Sequence, residues 1–225
     1  MAKSKRGNIA FEKLQNALYT VETWCEDWRV KINAQKSVSV LFRDHKTNNF
    51  YDTELEIFNT DIQNKPHTKY LGVHLDRKLN FHEHIKQTIA KATGASISLN
   101  PIIGKNSKMS LHNKVLLYNT MIKPILLYAS PVWATAKKTQ RKKLQVFQNK
   151  ALRRITNAPW FVRNTILHRD LGIDPIDSAI LAASHKYFNA LENTEHENLK
   201  QIIAYDQFVE QKHKRPRTIH HNPTW

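Results

Sequence analysis

The sequence predicts an α+β fold, a small antiparallel sheet with one helix followed by a mostly helical region. The period of the apolar pattern predicts it. Up to residue 79 one helical run of apolar side chains is followed by short alternating runs, whereas from Asn80 onward they return every three to four positions. The chain is also long enough for that division. Its 225 residues, 40% of them hydrophobic with only 5 glycines and 8 prolines, suffice for one core or two small ones. The expected organisation is a mixed region over 1–79, a helical region over 80–200 and a basic tail over 201–225 that lacks a periodic apolar face.

Asn8 is placed to cap a first helix whose apolar positions are Phe11, Leu14, Leu18, Val21, Cys25 and Trp28. Residues 37–42 follow as a strand, with Val38, Val40 and Phe42 alternating against Ser39 and Leu41. Residues 55–58 and 69–75 read as two more strands, joined by a polar connection containing Lys65 and Pro66. In the second region a helix carries Ile85, Ile89 and Ala92 and ends at Pro101 and Gly104. Ser107 or Ser110 starts another, with Leu111, Val115, Tyr118 and Ile122 inward and Pro124 kinking or closing it. Thr139 opens a third along Leu144, Phe147, Ala151 and Ile155. Asp174 and Pro175 begin a fourth along Ile176, Ile180, Ala183 and Tyr187.

Composition excludes several classes. A single cysteine, Cys25, rules out a disulfide framework and a cysteine-based zinc finger and fits a reducing compartment, nucleus or cytoplasm. No apolar segment follows the basic N-terminus, so no signal peptide is expected. The most apolar stretch, 115–134, would place Lys123 and Pro124 mid-bilayer. A central lysine costs about 2.5–3.5 kcal/mol on insertion scales, and a buried helix explains the same residues. No membrane partner is expected.

Charge is the informative quantity. The net charge is +16, from 35 Lys and Arg against 19 Asp and Glu. Between Glu83 and Asp170 there is no acidic residue, while 84–169 holds 16 Lys and Arg. The remaining basic residues equal the acidic ones in number, so the whole excess lies in one segment. Solubility is served as well by mixed signs. A polyanionic partner, RNA, DNA or an RNA–DNA hybrid, accounts for an acid-free segment of this length.

Four segments, in order, resemble the reverse transcriptases of jockey-type non-LTR (LINE-like) retrotransposons. The first is Glu22-Thr23-Trp24-Cys25, Trp28, Lys31-Ile32-Asn33 and Lys36-Ser37. The second is Lys69-Tyr70-Leu71-Gly72-Val73, Leu75-Asp76, Lys78-Leu79-Asn80-Phe81 and His84-Ile85. Next come Leu117-Tyr118, Ile122-Lys123-Pro124-Ile125-Leu126, Tyr128 and Pro131-Val132-Trp133. The last is Lys143-Leu144-Gln145, Gln148-Asn149-Lys150-Ala151-Leu152-Arg153, Ala158-Pro159-Trp160, Val162-Arg163-Asn164 and Leu167-His168.

The resemblance implies the end of a palm over 1–79, a palm remnant, followed by a helical thumb. The family's paired catalytic aspartates, in an aromatic-Ala-Asp-Asp turn, have no counterpart here. The parent activity would be RNA-directed DNA polymerisation, with magnesium and the upstream palm and fingers belonging to the full-length enzyme. This piece would supply primer grip and duplex binding without catalysis and without a cofactor of its own. The alternatives are a stand-alone basic RNA- or DNA-binding protein and a decayed reading frame.

Lys36 stands three residues after Asn33, at the spacing of the family's fourth palm motif. The resemblance makes it a candidate for the triphosphate or leaving pyrophosphate, a role suited to a compact, mobile ammonium. A solvated lysine before a strand is the alternative. Tyr70, Leu71 and Gly72 resemble the primer grip, where glycine allows close backbone approach; a bulge glycine is the alternative. For nucleic-acid contact the candidates are Lys137 and Lys138 just before the third helix, Arg141, Lys142, Lys143, Lys150, Arg153 and Arg154 on it, and Arg163 beyond it. A basic face beside an apolar one can follow phosphates without reading sequence; a nuclear-import patch or a solvated face is the alternative. Trp133 and Trp160 are read as core rather than base-stacking residues. No metal site is expected: Glu26-Asp27 reads as a solvated pair, and His82 and His84 diverge on a helix.

Overall fold

The computed structural model describes residues 7–42 and 54–203, which divide into two compact units, one before Asn80 and one from Asn80 onward. In the first, α1 (Gly7–Asp27) already includes Asn8 in its opening turn, so the helix begins earlier than a cap at Asn8 would place it. Phe11 and Cys25 are buried, and Leu14 and Leu18 pack against the core. Val21 and Trp28, expected on the same face, are exposed. Trp28 closes the helix: its N–H still reaches the Trp24 carbonyl at 3.1 Å, after which Arg29 turns left-handed at φ 53°, its N–H reaches the Glu26 carbonyl, and the Val30 N–H reaches that of Cys25 at 2.9 Å.

Alternation and turn chemistry build two small sheets. Strands β1 (Val38–Ser39), β2 (Leu55–Ile57) and β3 (Thr60–Asn64) form one, in the order β1-β3-β2. The pair β2–β3 is an antiparallel hairpin with Leu55 opposite Ile62, and its turn residues Phe58 and Asn59 both have positive φ, as a tight hairpin turn requires. The β1–β3 pairing is parallel, the one departure here from the antiparallel pattern, and the expected strand over 37–42 is confined to Val38–Ser39. Leu55, Ile57 and Ile62 close on Phe11 to form the core. Gln15 acts as a substitute strand residue: its amide donates to the Glu56 carbonyl and accepts the Glu56 N–H, both at 3.1 Å.

The run over 69–75, read as one strand, is a hairpin of β4 (His67–Tyr70) and β5 (Val73–Asp76) that reverses at Leu71 and Gly72. Both turn residues have positive φ, 44° and 82°, which costs Gly72 nothing and Leu71 a strained backbone.

In the second unit α2 (His82–Ser98) buries Ile85, Thr88, Ala92 and Ser96. Pro101 does not end it but sits in the first turn of a separate short helix, α3 (Asn100–Ile103), where its missing N–H is not needed. Ser110, of the two candidate caps, starts α4 (Leu111–Leu117) by accepting the Asn113 N–H. That helix widens into a π turn over Tyr118–Ile122, where the Lys123 N–H reaches the Tyr118 carbonyl, and continues as α5 (Lys123–Leu127). Pro124 explains the widening, because its ring would collide with a carbonyl of a regular α-helix. The short helix α6 (Ser130–Trp133) leads into α7 (Lys138–Thr156), α8 (Asn164–Leu171), α9 (Ile176–Glu192) and α10 (Glu197–Ile203). Helix α9 starts after Pro175 and buries Ile176, Ala179, Ile180, Ser184, Phe188 and Leu191, leaving Tyr187 outside. Apart from 201–203 in α10, the basic tail lies outside the described residues, and no helix among the described residues is long and apolar enough to cross a membrane.

Candidate nucleic-acid interface

Helix α7 has two faces. Arg141, Leu144, Gln148, Ala151, Leu152 and Ile155 turn inward at helical spacing. Lys142, Lys143, Lys150 and Arg154 are exposed and rim a groove of about 640 Å³ shared with α2. The groove is lined by Ile89, Ile97, Val146 and Phe147 with the hydroxyls of Thr93, Ser96 and Thr139. At one end the Arg154 Nη1 donates to the Ser96 Oγ at 3.4 Å. The result is an apolar trough with a wholly cationic margin.

The N-terminal end of α7 has the opposite charge to the one helix stability favours. Lys137 occupies the cap position and Lys138 the first turn, with no acidic residue there. Exposed cations at a helix N-terminus oppose its dipole and cost a few tenths of a kcal/mol each.

Not every predicted base stays on this surface. Arg141 is buried. Its Nε donates to the Asp177 Oδ1 at 2.9 Å, and its Nη1 to the carbonyls of Ala134 and Ala136 at 3.1 and 3.0 Å. Burial pushes its pKa down, opposed by the neighbouring Asp177 carboxylate. Arg141 therefore locks the turn before α7 to α9 and is withdrawn from the set of nucleic-acid contacts.

Arg153 is half-buried and holds the loop over 157–163. It donates to the carbonyls of Pro159 and Val162 and to the Asn164 Oδ1. Lys114, outside the predicted set, is buried and donates from Nζ to the carbonyls of Gly104 and Ser107 at 3.0 and 3.2 Å. With no carboxylate in the segment from 84 to 169, these two inward cations find backbone oxygens instead. Lys137, Lys138 and Arg163 are exposed.

Sequence reasoning missed a polar network beneath the basic face. The Gln145 amide lies 2.8–3.1 Å from the Gln148 Oε1, the Asn149 Oδ1 and the His168 Nε2, and its own oxygen accepts the Ile176 N–H at 2.7 Å. His168 Nδ1 meets the Ile173 carbonyl at 2.7 Å, which only accepts, so that nitrogen carries the proton. Gln148 donates to the Asp174 carbonyl. The network ties α7 to α8 and to the start of α9. The signal available in the sequence was a pair of glutamines, one of them on an otherwise apolar register.

In the first unit Lys36 is exposed at the end of a single 3-10 turn, Ala34–Lys36, whose cap Asn33 accepts the Lys36 N–H at 3.0 Å. Tyr70 and Leu71 are exposed at the tip of the β4–β5 hairpin beside Gly72. Glu26 and Asp27 are exposed at the end of α1, and among the described residues no three His, Cys, Asp or Glu side chains cluster as metal ligands would. Of the two tryptophans assigned to the core, Trp133 is fully buried, its Nε1 donating to the Tyr128 carbonyl at 2.7 Å. Trp160 is not core but 88% exposed.

The chain is 33% identical over 184 residues to the probable RNA-directed DNA polymerase from transposon BS of Drosophila melanogaster, covering 82% of this chain and 20% of that protein. It is 33% identical over 192 residues to the RNA-directed DNA polymerase from mobile element jockey of the same fly, covering 85% and 20%. The jockey polymerase of Drosophila funebris is 34% identical over 185 residues, covering 82% and 20%. The chain is homologous to part of the jockey-type non-LTR retrotransposon reverse transcriptases. It spans about a fifth of the length of these curated relatives. No family model matches it, and no solved structure does. For this jockey-type segment, Gln145, Gln148, Asn149 and His168, which helped to carry the resemblance, are explained by packing: they hold the helices that present the basic face.

Proposed function

We propose that this chain is the primer-supporting and duplex-gripping part of a retrotransposon RNA-directed DNA polymerase, a palm remnant over 1–79 and a thumb over 80–200. The observation that carries this reading is the cationic margin of the α2–α7 groove. Lys142, Lys143, Lys150 and Arg154 are exposed on one rigid helix, in a segment without a single carboxylate. Cations along one helix face follow a phosphate backbone and read no base sequence, which suits a surface that must accept any template. That lysines persist at the N-terminus of α7 against its dipole is consistent with a role other than helix stability.

Lys36 and the Tyr70-Leu71-Gly72 tip are the pyrophosphate and primer-grip candidates in this scheme, both exposed and polar or conformationally permissive as those roles need. Two-metal nucleotidyl transfer needs carboxylates bridging ions about 3.5–4 Å apart. Among the described residues no group of three His, Cys, Asp or Glu fits that centre, and Glu26 and Asp27 are adjacent on α1 and diverge. Magnesium chemistry in this scheme belongs to the remainder of the polymerase.

The test is charge reversal of Lys142, Lys143, Lys150 and Arg154 to Glu, with binding to an RNA–DNA hybrid followed across salt. Each cation–phosphate pair removed is expected to lower the slope of log K against log salt by about 0.7–0.9, equally for unrelated sequences. An unchanged slope, with the helical circular dichroism intact, removes the proposal. A stand-alone nucleic-acid-binding protein is the second reading, favoured by the core that the second unit builds for itself around Trp133, Leu144 and Ile180.

A further inference from the structure

The loop over 157–163 presents two adjacent aromatic rings to solvent, Trp160 at 88% and Phe161 at 68% exposure. Large aromatics exposed side by side are uncommon on a solvated surface and mark a contact to something else. The loop that carries them is built. Asn157 turns left-handed and closes α7, the Ala158 N–H reaches the Arg153 carbonyl, and the Val162 N–H reaches that of Pro159. The Arg153 guanidinium then clamps it through the carbonyls of Pro159 and Val162 and the Asn164 side chain. The rings meet edge to face, centroids 6.0 Å apart and planes at 82°, and at 88% exposure most of the indole stays open.

We propose that Trp160 and Phe161 form a stacking platform for an unpaired nucleobase, on a strand whose phosphates lie along the basic face of α7. The inference rests on the duplex-binding reading above and extends it to the strand beyond the duplex. Charge selects the occupant. Lys150 and Arg154 on the last turns of α7, and Arg163 at the far end of the loop, are exposed cations, and the sequence around them holds no acid from 84 to 169. A ligand that brings both flat faces and negative charge matches such a surface, and a nucleic-acid strand brings both in every residue. Because the loop is already fixed, little ordering entropy opposes the contact. Every base has a π face, so the platform would tolerate any sequence.

The experiment uses the full 225-residue chain and two ligands of equal duplex length, one blunt and one with a single-stranded overhang bearing 2-aminopurine. The unaltered protein should prefer the overhang by about 5- to 150-fold, the span that stacking of one base covers, and should quench the 2-aminopurine. Joint Trp160→Ala and Phe161→Ala should erase the preference and the quenching while leaving affinity for the blunt duplex unchanged. Trp160→Phe, which keeps a ring, should retain most of both. An overhang preference in the double variant as large as in the unaltered protein overturns the proposal and assigns the aromatic pair to a protein-facing surface. Equal loss on blunt and overhang ligands also overturns it. Failure of the duplex reading has a different signature, since blunt-duplex binding would then be absent or insensitive to the α7 charges.

Discussion

Arg141 and Lys142 are neighbours in sequence with opposite duties, and the difference is burial alone. Arg141 supplies three hydrogen bonds, two to the buried carbonyls of Ala134 and Ala136 and one to the half-exposed Asp177 carboxylate, whereas Lys142 projects into the groove margin. Arg141→Ala should lower stability by about 2–4 kcal/mol, because it strands the two buried carbonyls of Ala134 and Ala136. Lys142→Ala should change stability by less than about 0.5 kcal/mol. In salt-dependent binding the order should reverse, with Lys142→Ala lowering the slope and the folded Arg141 variant leaving it unchanged. Urea denaturation and a salt titration check the two halves. The basic run made both residues look alike in the sequence, because residue type carries charge but not depth.

Tyr118 gives a second prediction at this scale. It is fully buried, and burial pushes its phenol up to about 12 from an ordinary 10.0, with Gln148 pulling the other way. A folded pKa above the unfolded one means that the native state holds the proton longer. The stabilisation is therefore fully present below pH 10.0 and is lost as pH rises towards about 12. Tyr118→Phe should flatten that part of the stability–pH curve, as thermal melts between about pH 9 and about 12 would reveal.

Among the elements, α7 combines a packing face, a polar network and a surface charged against its own dipole. Replacing Lys138 by Glu should stabilise the helix by about 0.3–1 kcal/mol and at the same time weaken nucleic-acid binding. Melting temperature and affinity would then move in opposite directions, and a loss of both would show Lys138 to be structural. The long helices were legible because their apolar spacing is strong over four or five turns. The hairpins were not. Phe58 and Leu71 hold positive φ although both are apolar side chains, so each turn hides inside what reads as a continuous run. The short helices α6 and α8 were missed for a related reason: one or two turns are too brief to establish a period.

At the level of the whole molecule, the two units differ in how much they bury. The first closes on Phe11, Leu55, Ile57 and Ile62, while Trp24, Trp28 and Val30 remain exposed. The second encloses Trp133, Tyr118, Leu126, Leu144, Leu152 and Ile180 completely. The chain divides into two compact units between Leu79 and Asn80. What pattern could not supply was the parallel return of β1 onto β3, since pairing direction depends on where the chain travels between strands.

The junction itself has a chemical consequence. Lys78 is exposed in the turn after β5, and the next residue, Leu79, is exposed with a left-handed backbone at φ 49°. An exposed basic residue in a turn between two cooperative units is where trypsin enters first. Among the described residues, limited digestion should cut after Lys78 while sparing Lys114 and Arg141, which are buried. Mass spectrometry of the early digest would identify a resistant fragment beginning at Leu79. Early cleavage at Arg141 would mean that α7 opens more readily than its buried hydrogen bonds imply.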